Sequence, residues 1–308
     1  MTDALTSPAG ISGADDPAIR ALSAAMPVIR RRQRMGWLWV ILILVVSIVV
    51  GVLLIMAGGD ALGYGIGVLI TGPILSLWPA ESARKAIERE VLPTVCQTFG
   101  LTYAKDANGI FQTIPRVFIP FGGRRSCDDT LSGQLAGQWF RLAEVKTETG
   151  GKNSQTLFRG VVITLHSRGR PPEFLMASHK ETKGFLFFKG NVRVEGMQNI
   201  DTVSGPDGVQ YGIWTPEGAT TDAALLRPVA KRIADLAPEV LHKSALYSIY
   251  SANGEWHIAL RHDKDLFKVG GLRASEAEIM ADIRSASADL GQVFRLIEGV
   301  LKAEEGLI

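Results

Sequence analysis

The chain has 308 residues, of which 46% are apolar and 21% are charged, and its formal net charge is +2. This length allows one large domain or two modest ones. Residues 80–308 carry 28 basic and 27 acidic side chains, and this balance excludes the basic surface by which proteins bind nucleic acid. Two cysteines, Cys96 and Cys127, are too few for a disulfide framework.

The first segment of the chain, residues 1–36, is predicted to be disordered. It is rich in Ala, Asp and Ser and shows no sustained apolar period. It ends in a basic flank, whose arginines are Arg30, Arg31, Arg32 and Arg34. Arginines at a membrane surface attract anionic lipid by roughly 1 kcal/mol each. The flank therefore indicates that membrane lipids are among the partners.

A transmembrane hairpin is predicted over residues 37–78. Its first run, 37–57, holds 21 uncharged residues, enough to cross a hydrocarbon core of about 30 Å. The second run, 62–78, follows directly, and this argues against a signal peptide. Gly63 and Gly67 within it have a GxxxG spacing, which lets two helices approach closely. The spacing fits packing inside the hairpin and also contact between two copies of the chain.

The charges around the hairpin predict its orientation. Basic residues precede the first run and follow the second, as Arg84, Lys85 and Arg89, whereas the connecting turn has none. The positive-inside rule then places the turn outside and both termini in the cytoplasm. We therefore expect a multi-pass membrane protein, with its tryptophans at the cytoplasmic interface: Trp37, Trp39 and Trp78.

Residues 79–308 are predicted to form one cytoplasmic α+β domain. Ala83, Ile87 and Val91 begin a four-residue apolar period that indicates a helix ending near Gly100. The period then changes to two, and short β-rich runs follow: QWFRLAEV, TLFRGVVITL, PEFLMAS, GFLFFKG, NVRVEG and VQYGIW.

The last third of the chain adds two helices and a hairpin. Thr220 or Thr221 can cap the first helix. Two alternating runs around Asn253-Gly254 predict a β-hairpin, and Ser275 with Glu278 forms a capping box that opens the last helix. This order of elements indicates a largely antiparallel sheet with flanking helices.

The search for catalytic residues finds no HExxH, GxSxG or dinucleotide-binding motif, and no metal-ligand spacing. We therefore predict no catalytic, cofactor or metal residues. Asp128 and Asp129 fit a turn at a strand entrance, and His257, alternating with apolar neighbours, is expected to point outward. The alternative is a membrane-bound enzyme with a cleft that contains Cys127, Asp128 or His262.

Four stretches resemble the bacterial domain of unknown function 3137 family: CDDTLSGQLAGQWFRLAEVKTET, TLFRGVVITL, IWTPEGATTDAALLRPVAKRIADL and GEWHIALRHDKDLF. Their order and spacing carry the resemblance, which covers most of residues 80–302. It implies a hairpin in the bacterial inner membrane joined to a cytoplasmic domain, and it transfers no reaction. It also implies a LemA-type membrane-protein partner and a place in an envelope assembly. The sequence thus predicts a non-catalytic, inner-membrane-anchored module that binds a protein partner or lipid headgroups, with self-association as an open alternative.

Overall fold

Two compact units make up the described chain. The computed structural model describes residues 17–105, 107–179, 194–242, 244–262 and 273–307. The helical unit comprises the described residues up to Phe99 together with residues 273–286. A sheet unit begins at Gly100 and takes in the residues from Ser287 onward.

The helical unit is built on two long helices, α1 (Pro17–Ala57) and α2 (Ala61–Thr98). Gly58 and Gly59 connect them, with φ angles of 69° and 58° that favour glycine. Both helices are long and apolar enough to cross a membrane by length and composition. Only 11% of the most apolar stretch of α1 and 17% of that of α2 is buried. The predicted apolar helix pair is confirmed.

The prediction of disorder for residues 1–36 is wrong from Pro17 onward, because α1 begins there and continues without a break into the apolar run. Met26 and Ile29 are buried, so this part of the chain has packing partners that its composition does not reveal. Residues 1–16 lie outside the described residues.

Helix α2 continues well past the apolar run. Its second half buries the predicted four-residue stripe through Ile87, Val91 and Val95, together with Cys96. Glu88 is 2% exposed and pairs with Arg84 one turn earlier. Residues up to Phe99 therefore belong to the helical unit, and the chain changes character at Gly100 rather than at residue 79.

The sheet unit contains one nine-stranded sheet, in the order β1-β2-β3-β4-β9-β8-β5-β7-β6, with every neighbouring pair antiparallel. The predicted α+β class, with an antiparallel sheet and flanking helices, is confirmed. The elements are β1 (Thr102–Lys105), β2 (Arg124–Leu135), β3 (Gln138–Glu148), β4 (Thr156–His166), β5 (Phe174–Ser178), β6 (Met197–Ser204), β7 (Gln210–Pro216), α3 (Ala223–Val240), β8 (Ala245–Ala252), β9 (Glu255–Arg261) and α4 (Glu276–Glu304).

The sheet is covered on both faces. On one face α4 packs through Phe294, whose ring lies 5.6 Å from that of Phe140 on β3. On the other face the segment 107–121 inserts Phe118 and its neighbours into a core that includes Val162 and Trp214. The middle strands are consequently buried on both sides, as the unbroken burial of β9 from Trp256 to Leu260 shows.

Several local predictions need correction. Asp128 and Asp129 do not form a turn, because they lie inside β2, where a register shift between Cys127 and Thr130 accommodates them. Helix α3 is capped by Asp222, which accepts from the Ala224 amide at 2.9 Å, and not by either threonine. The predicted run GFLFFKG, and NVRVEG up to residue 193, lie outside the described residues.

Candidate functional site

The three residues of the enzyme alternative are not brought together. Cys127 is buried, whereas its neighbour Asp128 is exposed. His262 follows β9 and donates its amide to the Arg159 carbonyl at 3.1 Å. The pairing of β2, β3, β4 and β9 puts Cys127 three strand spacings from the end of β9, roughly 14 Å. A hydrogen-bonded catalytic unit needs a much shorter separation.

The environment of the Cys127 thiol makes it a poor nucleophile. It is 1% exposed and belongs to the core beneath the segment 107–121. Burial, followed by the negative charges of Asp128 and Asp129, raises the pKa of the thiol to about 12. The thiolate is the nucleophilic form of cysteine. The carboxylates of Asp128 and Asp129 therefore make Cys127 a poorer nucleophile by disfavouring its thiolate.

Of the two neighbouring carboxylates, Asp129 is the one that is buried and hydrogen-bonded within the fold. It is 2% exposed and accepts from the Tyr103 hydroxyl and from Lys105 Nζ at 3.3 Å. Both partners are on β1, so Asp129 fastens this edge strand to β2. A buried carboxylate with two donors is satisfied, and its role is structural.

The expectation that His257 points outward is wrong. His257 is 4% exposed, its Nδ1 lies 3.4 Å from Thr164 Oγ1, and its ring packs 5.9 Å from that of Phe118. Burial, with a smaller contribution from the Arg141 charge, lowers the pKa of His257 to about 4. The segment 107–121 covers the face that a simple alternation pattern assigns to solvent.

A basic cleft in the helical unit is the strongest candidate for a binding site. We call it the arginine cleft; its volume is about 390 Å³, and it is lined by Arg30, Gln33, Arg34, Trp37, Arg273 and Ala274. Arg273 lies over the Trp37 ring, with its guanidinium carbon 4.9 Å from the ring centre. Gln33 donates to the Ala274 carbonyl at 2.9 Å and so ties α1 to the turn before α4.

The charges of the arginine cleft are unevenly balanced. Arg30 pairs with Glu276 at 2.7 Å. Among the residues that the structure describes, neither Arg34 nor Arg273 has an acidic partner, and no acidic side chain lines the cleft. One guanidinium group over an indole ring and a second arginine in the same cleft form a site suited to an anion. Arginine binds phosphate through paired N–H donors.

A second cleft, which we call the mixed cleft, has a different charge pattern. It encloses about 500 Å³ between α1 and α2, with Lys85 and Arg89 opposed by Glu81 and Glu90. Arg32 on α1 reaches Glu90 at 3.4 Å. The acidic residues oppose binding of an anion here, which makes the mixed cleft a natural control for the arginine cleft.

Half of the arginine cleft is predictable from the sequence. The basic flank and Trp37 form the predicted interfacial segment, but Arg273 lies 236 positions after Trp37 and has no motif around it. No sequence signal indicates this pairing. Among the described residues, no group of three or more His, Cys, Asp or Glu side chains is arranged to hold a metal ion.

Comparison with known proteins gives a distant structural likeness. No protein-family model and no curated protein matches the chain. The crystal structure of the mycobacterial trehalose monomycolate transport factor A is similar with a TM-score of 0.34 and 11% identity, over 66% of this chain and 90% of that one.

Proposed function

We propose that the protein is a non-catalytic module of the bacterial inner membrane that binds anionic lipid headgroups. In this proposal α1 and α2 form a multi-pass anchor with both termini in the cytoplasm, and the sheet unit is cytoplasmic. The observation that carries it is the arginine cleft at the start of the apolar part of α1.

The position of the cleft along α1 supports this function. Trp37 is the first residue of the uncharged run, so a spanning α1 puts its ring at the level of the headgroups. The arginines of the cleft then face the leaflet that carries the most negative charge. Leu38, Ile41 and Leu42, which follow directly, are at least half exposed, as expected for side chains that meet lipid.

A protein partner within the membrane is a second proposal with its own observation. A Cβ atom on Gly63 or Gly67 would have no neighbour within 4 Å, so this GxxxG face is open and not used inside the hairpin. It can receive a helix of a second copy or of another membrane protein. The resemblance to the domain of unknown function 3137 family, which implies a LemA-type partner, remains an expectation of the same proposal.

The proposed function is tested by extraction and topology. Full-length protein in membranes is washed with alkaline carbonate, and reporter enzymes are fused to each terminus and inserted at Gly59. We expect the protein to stay in the membrane pellet, with both termini reporting cytoplasm and the turn reporting the outside. Release into the wash, or termini on opposite sides, would overturn the proposal.

A further inference from the structure

We propose that the arginine cleft is a single phosphate site, in which Arg34 and Arg273 bind a doubly charged phosphate of a lipid headgroup beside Trp37. This inference rests on the proposed function and deepens it, because it names the site, its residues and the headgroup class. It is distinct from the general attraction of a basic flank for a negative surface, which needs no fixed geometry.

The number of positive charges left in the arginine cleft indicates which kind of phosphate group it binds. Arg30 is neutralised by Glu276, so Arg34 and Arg273 leave two positive charges in the cleft. A phosphodiester headgroup carries one negative charge, whereas a phosphomonoester carries about 1.5 to 2 at neutral pH. A lipid with a terminal phosphate therefore balances the site better than a diester lipid does.

The geometry fixes where the phosphate is held. Arg273 is positioned against the Trp37 ring at 4.9 Å, and the neighbouring Ala274 carbonyl is held by Gln33 at 2.9 Å. Arg34 lies one residue after Gln33 on α1. Because Arg273 is already oriented, its donors lose less freedom on binding than those of a flexible flank. The phosphate would thus join α1 to the turn that precedes α4.

The fold also disfavours the competing site. The mixed cleft has more room, but Glu81 and Glu90 line it, where they pair with Arg84 and Arg32. A dianionic phosphate would meet two carboxylates in that cleft. Selectivity for the arginine cleft therefore follows from the distribution of acidic residues and not from the number of arginines.

The experiment measures binding to full-length protein in detergent by native mass spectrometry. The probes are short-chain phosphatidic acid, short-chain phosphatidylglycerol and inorganic phosphate. Arg34→Gln and Arg273→Gln are compared with Lys85→Gln, the matched control in the mixed cleft. At roughly 1 kcal/mol per arginine, each single variant should weaken phosphatidic acid binding about fivefold, and the double variant about 25-fold. Lys85→Gln should stay within about twofold of the wild-type protein.

Each result of this binding experiment supports or overturns the phosphate site. One phosphatidic acid bound per chain, with weaker phosphatidylglycerol and sensitivity to the two arginine variants, supports the site. Equal binding of both lipids, or equal effects of all three variants, overturns it. Inorganic phosphate that binds as tightly as phosphatidic acid overturns the lipid assignment. Arg34→Lys should keep part of the affinity, which excludes misfolding as the cause of a loss. If the protein stays in the membrane after the carbonate wash but the lipid-binding results contradict the site, only this inference is overturned. Release by carbonate overturns the proposed function.

Discussion

Trp256 donates its indole N–H to Glu304 Oε2 at 3.2 Å, and neither residue is exposed to solvent. The same carboxylate also accepts from the backbone amides of Arg168 at 3.2 Å and Gly169 at 2.7 Å, and from the Ser167 hydroxyl. Glu304 is the last residue of α4, so it joins this helix to the turn after β4 and to the start of β9. Four donors converge on a single buried carboxylate.

Replacement of Glu304 should therefore be costly. We expect Glu304→Ala to lower the free energy of unfolding by about 3–5 kcal/mol, because four donors lose their buried acceptor. Urea unfolding of the solubilised protein, followed by near-ultraviolet circular dichroism of its tryptophans, measures the change. Glu305→Ala is the control: Glu305 is exposed and pairs with Arg168, so its loss should cost less than about 1 kcal/mol. Similar losses for both variants would refute this role of Glu304.

His257 should make the fold sensitive to mild acid. Its pKa is about 4 in the folded chain, against an ordinary value of 6.5. Between these values the unfolded chain binds more protons, so stability falls as the pH is lowered from 6.5 to 4. We expect His257→Gln to flatten this dependence, removing up to about 1.4 kcal/mol per pH unit.

The measurement is the unfolding free energy at several values between pH 4 and 7. His166→Gln serves as the control, because the His166 side chain is 51% exposed at the end of β4. Its slope should follow that of the wild-type protein. An unchanged slope in His257→Gln would show that the buried imidazole does not set the acid response.

Cys127 should be unreactive until the fold opens. The raised pKa alone lowers its thiolate fraction at pH 8 by about a thousandfold relative to an ordinary thiol. In a Cys96→Ser background, we expect negligible alkylation by iodoacetamide in native buffer and full alkylation in denaturant, measured by mass spectrometry. Rapid native labelling at Cys127 would revive the nucleophile hypothesis.

The same thiol predicts an alkaline limit to stability. Because the folded thiol keeps its proton up to about pH 12 while the unfolded one loses it near 9, stability falls as the pH rises through this window. Cys127→Ser should remove that part of the loss.

The packing of α1 on α2 should depend on Gly65 more than on Gly63 and Gly67, the glycines on either side of it. A Cβ on Gly65 would lie 2.7 Å from Ile55 Cγ1 and 2.8 Å from the Gly51 carbonyl oxygen. We expect Gly65→Leu to destabilise the helix pair by about 1–3 kcal/mol. Thermal unfolding in detergent measures this loss. Gly67→Leu should leave unfolding unchanged, because its site is open.

The Gly67 variant also reports on association. If a second helix binds the open face, Gly67→Leu should reduce the mass seen by sedimentation without loss of stability. Stable oligomers in this variant would exclude the GxxxG face as the contact.

Local signals in the sequence were reliable where the chain itself supplies both partners. The Asn253-Gly254 hairpin is present, with φ angles of 54° and 76°. The capping box is present too: Ser275 N donates to Glu278 Oε2 at 2.7 Å, and Glu278 N donates to Ser275 Oγ at 3.3 Å. Each of these depends on residues within four positions of one another.

Features that depend on distant residues were not predictable. His257 has the alternation of a half-exposed strand, and only the segment 107–121 buries its second face. Asp128 and Asp129 in β2 have the sequence pattern of a turn. The partners of Asp129, Tyr103 and Lys105, lie on another strand, so the sequence does not reveal them. The arginine cleft needs Arg273 beside Trp37, and no pattern of spacing reports a contact over such a separation.

The unbroken course of α2 has a mechanical consequence. Because Ala61–Thr98 is one helix, no loop separates the apolar run from the stripe formed by Ile87, Val91 and Val95. Each inserted or deleted residue turns everything beyond it by about 100°. The number of residues between the apolar run and the stripe therefore sets the angle between them around the helix axis. One extra residue near Glu81 would turn the stripe away from the partners that bury it. We therefore expect α2 to tolerate substitutions better than insertions.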